Sequence, residues 1–212
     1  HYRVSEFFYL DECPQKWSHG MTFQYDSRPL MCPPVGFLFL NEEGASSKSE
    51  LFAVESRESM ELPSLPDRYE HIGSVCLNGT IFVFGAGNYG DSTLGFVANR
   101  PHGTWQHLAP MMTAPFRPLA VSLGHKIYVF DGGEGEDCIK KTQMYDPKLN
   151  EWKVVSDMPH ACSGGAATAF RGKVYVFGGE VPAVMCYDPV KDKWSELRPP
   201  PCTFVHASAV AW

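Results

Sequence analysis

The chain has 212 residues, enough for a large core, and its 44% hydrophobic and 20% charged content is that of an ordinary globular fold. Its formal charge is −6 and no basic run exceeds the pair Lys140–Lys141, which argues against a nucleic-acid stripe. No apolar run reaches the roughly 20 residues of a membrane helix, and seven cysteines without a CxxC pair argue against a zinc or disulfide framework.

The cysteine usage suits a reducing, cytoplasmic setting, with the nucleus also open. His1 is not an initiator methionine and no signal peptide is visible, so the chain is expected to be a domain of a longer protein.

In chain order, the first recognisable unit is YLDECPQKW, with Tyr9 ahead of Trp17. GFLFLNEEG (36–44) and FAVESRESM follow, the latter with Phe52 ahead of Met60. Next come TIFVFGAG and PHGTWQHLAPM with Trp105. The clearest unit is PLAVSLG, KIYVFDGG, TQMYDP and EWKVVS, read as strands a, b, c and d. GAATAFR, KVYVFGG, CYDP and KDKWSEL repeat that order, and HASAVAW (206–212) aligns with strand a alone.

These are copies of one unit. Trp105 to Trp152 spans 47 residues and Trp152 to Trp194 spans 42. Tyr145 to Trp152 and Tyr187 to Trp194 are both 7, so the variation sits in the segment after the glycines, as loops allow. The b runs alternate aromatic with β-branched residues, and helical periodicity is absent. Many short strands between turn signals, four to a period, point to an all-β fold of propeller blades. Glycine at the end of strand b permits close backbone approach, and the Tyr and Trp rings fill space between blades.

The glycine pairs 132–133 and 178–179, Tyr145 with Trp152 and Tyr187 with Trp194 resemble kelch repeats of the BTB–kelch family. Gly85 and Trp105 form a looser copy. The likeness is strongest from Ile72 to Trp212 and departs at Asn41–Gly44, Met60 and Ala86. It implies a single kelch-type β-propeller over 1–212. Five tryptophan slots (Trp17, Met60, Trp105, Trp152, Trp194) imply five blades: 1–19 plus 206–212, 20–64, 65–110, 111–158 and 159–205. His1–Phe8 would supply the remaining strand of the first blade, and the C-terminal strand would close the ring and remove sheet edges. The alternative is a six-bladed ring with a blade missing.

Catalytic signatures are absent: no HExxH, no GxSxG and no P-loop. Some kelch-type propellers are copper radical oxidases, which need two histidines and two tyrosines on the metal. Here the eight histidines are scattered, and a pair such as His71 and His206 is a poor metal site without a third ligand. No catalytic residue, metal site or cofactor is expected. Cys138 beside Lys140 and Lys141 is a candidate sensor thiol, opposed by Glu136 and Asp137.

Binding is the expected function. In a propeller the d–a and b–c loops share one rim, and loops on a rigid scaffold carry recognition. The b–c loops are read as Asn41–Lys48, Ala86–Thr93, Glu134–Thr142 and Glu180–Ala183, and they lean acidic. The d–a loops add Arg68, Tyr69, His71, Phe116, Arg117, His160, Phe204 and His206, including the aromatic and arginine anchors usual at interfaces. By resemblance, the residue before strand a and the residue after the glycine pair contact the partner. Those slots hold His71, Arg117, Ser163 and His206, then Gly87 with neighbouring Asn88, Glu134 and Glu180, and Tyr89 joins the expected contact residues. The partner would be a protein or peptide with a basic segment. The family likeness implies a substrate-recognition module of a Cul3-type cullin–RING ubiquitin ligase adaptor, with cullin-3 recruited by BTB and BACK regions absent from this sequence. A cytoskeletal or scaffolding kelch protein is the alternative.

Overall fold

A computed structural model describes residues 3–9, 35–41, 48–53, 57–66, 69–78, 80–87, 90–97, 104–113, 115, 118–130, 140–162, 164–178, 182–201 and 209. Among them every regular element is a β-strand, and the strands form four antiparallel meanders of four. The first sheet is β1 (Arg3–Tyr9), β2 (Val35–Asn41), β3 (Lys48–Ala53) and β4 (Glu58–Leu62). The second is β5 (Tyr69–Leu77), β6 (Thr80–Gly87), β7 (Gly90–Val97) and β8 (Trp105–His107). The third is β9 (Leu119–Leu123), β10 (Lys126–Phe130), β11 (Thr142–Asp146) and β12 (Glu151–Val155). The fourth is β13 (Ala166–Phe170), β14 (Lys173–Phe177), β15 (Val184–Asp188) and β16 (Lys193–Leu197).

The contacts between sheets join their first strands: β1 lies against β5, β5 against β9, and β9 against β13. The sheets therefore radiate from a line of first strands, which is the arrangement of propeller blades. The all-β propeller expectation holds, and the a, b, c and d assignments of the third sheet match β9 to β12.

Turn chemistry sets these meanders. Arg171 and Gly172 join β13 to β14 with φ of 48° and 76°, the two-residue hairpin whose twist matches its strands. Between strands c and d, Asn150 and Asp192 take φ of 53° and 49°, a conformation that short polar side chains tolerate. The spacing of 7 then makes Tyr145 pair directly with Trp152 and Tyr187 with Trp194. Earlier units keep the meander but shift the partners. Trp105 pairs with Phe96, and Met60 pairs with Leu51 rather than Phe52.

Three local expectations change. Arg3–Tyr9 is the first strand of the sheet that continues with Val35–Asn41, rather than a strand b shared with the C-terminus. With blades counted from here by the four described sheets, strand a of the second blade starts earlier than expected, because Tyr69 and Glu70 already pair with Gly87 and Ala86, across an irregularity between Glu70 and Gly73. The expected loop 86–93 contracts to residues 88–89, since Ala86 pairs with Asp91 and Gly87 with Gly90. Trp17 and, apart from Ala209, the closing strand 206–212 lie outside the described residues.

The core sits between blades. Val75, Leu77, Phe82 and Phe84 of the second blade pack with Met111 against Ile127, Val129 and Tyr145 of the third. Val121, Tyr128 and Phe130 of the third pack with Met158 and Cys162 against Val174, Val176, Met185 and Tyr187 of the fourth. Alternate residues of β10 thus serve opposite neighbours, which is why Ile127 to Phe130 are all buried. Edge-to-face aromatic pairs repeat at both interfaces. Phe82 and Phe84 meet Tyr145 and Trp152 at 5.9 and 5.6 Å, and Tyr128 and Phe130 meet Tyr187 and Trp194 at 5.7 Å each.

Candidate partner-binding rim

Successive strands of a meander run in opposite directions. The b–c and d–a connections therefore lie at one end of each blade, and the a–b and c–d turns at the other. In the third blade the first two connections are bonded together. The Met158 N–H donates to the Lys140 carbonyl at 2.8 Å, and Lys140 Nζ donates to the Pro159 carbonyl at 2.7 Å. Lys141 Nζ donates to Asp157 Oδ2 at 2.7 Å. Both of those side chains are nearly half exposed, so their ion pair is a minor stabiliser. The firm anchor is Met158, whose side chain is buried between the third and fourth blades.

The connection entering the third blade is held by a different device. Gln143 on β11 is 2% exposed. Its Oε1 accepts the N–H groups of Met112 and Thr113 at 2.8 and 3.3 Å, and its Nε2 donates to the carbonyl and hydroxyl of Thr113 at 3.0 and 2.9 Å. A buried amide using both ends fixes backbone position as a helix cap would. Further along, Pro118 closes on Gly73 of β5. A Cβ on Gly73 would stand 2.8 Å from the Pro118 carbonyl oxygen, so only glycine permits that approach. Residues 112–113 and Pro118, on either side of positions 116–117 in the sequence, thus each have a fixed contact.

The connection into the fourth blade is held at Cys162, which is fully buried; desolvation pushes its thiol up to about 11. Its Sγ donates toward the carbonyls of Phe177 and Gly178 at 3.6 and 3.4 Å. This is a protonated, structural thiol next to Ser163. Beside it, His160 Nε2 lies 3.3 Å from Glu196 Oε1. Lys140 and Lys141 bond to Pro159 and Asp157. Cys138 itself lies outside the described residues.

Of the expected contact residues, Tyr69 and His71 fall within β5, His71 at its irregularity. Arg68, Asn88, Tyr89, Phe116, Arg117, Glu134, Ser163, Glu180, Phe204 and His206 lie outside the described residues. The structure describes the supports of Arg117 and Ser163. Sequence reasoning missed Gln143, although a polar residue inside a buried strand was the available signal. Among the described residues no three His, Cys, Asp or Glu side chains are grouped to hold a metal ion.

Comparison with known proteins gives consistent matches. The family model described as Kelch motif matches residues 116–159 and 161–201. The chain is 28% identical to Kelch-like protein 35 of Mus musculus over 160 residues, covering 72% of this chain and 28% of that protein. It is 30% identical to Kelch-like protein 23 of Homo sapiens over 154 residues, covering 70% and 27%. Kelch repeat and BTB domain-containing protein 8 of Xenopus tropicalis is 34% identical over 99 residues, covering 45% and 16%. The chain spans 28% or less of the length of these relatives.

Proposed function

Because this chain is a kelch-repeat protein of the BTB–kelch type, we propose that it is the substrate-recognition module of a Cul3-type cullin–RING ubiquitin ligase adaptor. It binds a short segment of a target protein at the rim built from the b–c and d–a connections, and its work is positioning rather than chemistry. The supporting observation is the bonding of that rim: residues 140–141 to residues 157–159, and Gln143 to residues 112–113. Connections whose flanking residues are held this way leave fewer positions to order when a partner arrives, so less of the binding free energy is lost. Arg117 is the principal anchor, with His71, Ser163 and His206 in equivalent slots. The acidic residues after strands b, such as Glu134 and Glu180, select a target carrying Lys or Arg.

The test compares proteins captured by the wild-type chain and by Arg117→Ala, followed by titration of a basic peptide from a captured protein against salt. Loss of specific partners on substitution and weaker affinity at higher salt are expected. An unchanged partner list, or salt-independent affinity, counts against this rim. Ubiquitination of the captured protein by the full-length parent with cullin-3 tests the ligase role. Capture of filaments without ubiquitination would favour the cytoskeletal reading.

A further inference from the structure

One buried polar side chain departs from the plan of the blades. Register puts Leu94, Gln143 and Met185 at the same point of strand c in the second, third and fourth blades, opposite Val83, Val129 and Val176. The blade is thus built without an amide at that point, and in the fourth blade Met185 lies 1% exposed in the core. Gln143 is almost as deeply buried, and its four hydrogen bonds all go to two consecutive residues, Met112 and Thr113.

Those bonds fix the backbone where two methionines part. Met111 is 4% exposed and packs between the second and third blades, while Met112 is 60% exposed. In the next connection the residue at the same distance from its tryptophan is Pro159, which is half-buried. Val154 on β12 lies directly opposite Gln143 and is 39% exposed. Opposite residues of an antiparallel pair share one face of the sheet, so Val154 stands beside the amide that holds Met112. Gln143 thus joins two exposed apolar residues, 42 positions apart in the chain, at the end of the blade where the b–c and d–a connections lie. The charges that flank them, Lys141 and Asp157, bond to each other at 2.7 Å, which leaves the apolar groups as the feature presented there.

We propose that Met112, with Val154 beside it, is an apolar contact for the target, and that Gln143 is the positioning residue that holds Met112 in place. The inference rests on the reading of this rim as the target-binding face. It adds the chemistry selected there: an aliphatic side chain among the basic residues of the target segment. The unbranched thioether of Met112 adapts to aliphatic groups of differing shape. Its backbone is already fixed by Gln143, so little ordering remains to oppose binding.

The probes are two fluorescein-labelled peptides that differ in one residue, leucine or serine, between flanking lysines. Both are titrated against the whole chain by fluorescence anisotropy. The leucine peptide is expected to bind wild type about tenfold more tightly, the gain from partly burying one such side chain. Met112→Ser, at an exposed position, should melt near the wild-type temperature and lose most of that preference. Gln143→Glu keeps an oxygen to accept the Met112 N–H, whereas Gln143→Leu keeps none. Both should lower the melting temperature, but only Gln143→Leu should lose the preference, measured well below both melting points. A purely structural role would make the preference follow stability. Equal binding of the two peptides to wild type, a preference untouched by Met112→Ser, or one lost in Gln143→Glu as in Gln143→Leu overturns this inference and leaves the charge reading of the rim standing. Binding of neither peptide overturns both. If Gln143→Leu does not fold, Met112→Ser decides alone.

Discussion

Gln143 makes four hydrogen bonds from a nearly dry position, and its loss strands Met112 and Thr113 backbone groups. Gln143→Leu is therefore expected to destabilise the fold by about 2–3 kcal/mol, read from urea midpoints. Asn150 and Asp192 make a sharper pair. Each accepts a tyrosine hydroxyl at 2.7 Å and a backbone N–H of the preceding d–a connection at 2.9 Å, but only Asp192 carries a charge. The Ser156 N–H, then the Tyr187 hydroxyl, hold Asp192 below the ordinary carboxylate range. A depressed pKa contributes stability that is present above the unfolded value and lost as pH falls through the folded one. Asp192→Asn lacks that contribution, so it should be less stable than wild type at neutral pH and lose less stability in acid, near pH 3. Comparing urea midpoints of both proteins at the two pH values checks this. Tyr145, raised to about 12 by burial and by the charge of Asp146, stays protonated and donating at both.

At the scale of elements, the repeated tryptophan works as a staple between blades. Trp105, Trp152 and Trp194 donate their indole N–H to the carbonyls of Pro63, Ala109 and Ser156, at 2.7, 2.9 and 2.8 Å. Each bond reaches from strand d of one blade to the connection leaving the blade before it. Trp194→Phe keeps a ring beside Tyr187 but breaks the staple, and should cost about 1 kcal/mol in a thermal melt. A loop-side counterpart is Gly165. A Cβ there would collide with Cys162 Sγ and stand 2.7 Å from the Phe177 carbonyl oxygen. Gly165→Ala should destabilise, and Cys162→Ala should rescue it only partly, because the clash with the carbonyl remains; a double-mutant cycle measures the coupling. Elements with strong local signals were legible from sequence: β9 to β16 follow from the glycine-ended runs and the Tyr–Trp spacing. Arg3–Tyr9 was not, because its partner Val35–Asn41 lies 26 residues further along the chain, beyond any short hairpin connection. Nor was the extension of β5 through Tyr69 and His71, since an irregular register leaves no alternation to read.

For the whole molecule, the placement of the core between blades implies coupled unfolding. Ile127 faces the second blade and Val174 packs against the third, and neither is exposed. Ile127→Val should cost about 1 kcal/mol and Val174→Ala about 2 kcal/mol. Both should lower one shared transition, seen at the same midpoint by circular dichroism and tryptophan fluorescence. Two separate transitions would show that the interfaces do not transmit stability. The sequence by itself determined the blade unit, because strands, two-residue hairpins and the Tyr–Trp pair are local arrangements set by residue type and short spacing. It also showed where function could reside, in the unequal connections after the glycines. Only the tertiary structure decided which carbonyl each indole reaches and which connection Gln143 holds. It also decided which carboxylates are spent on turns. Those contacts mostly join residues 30 to 43 apart, across blades or into the next connection, and packing rather than local spacing brings them together.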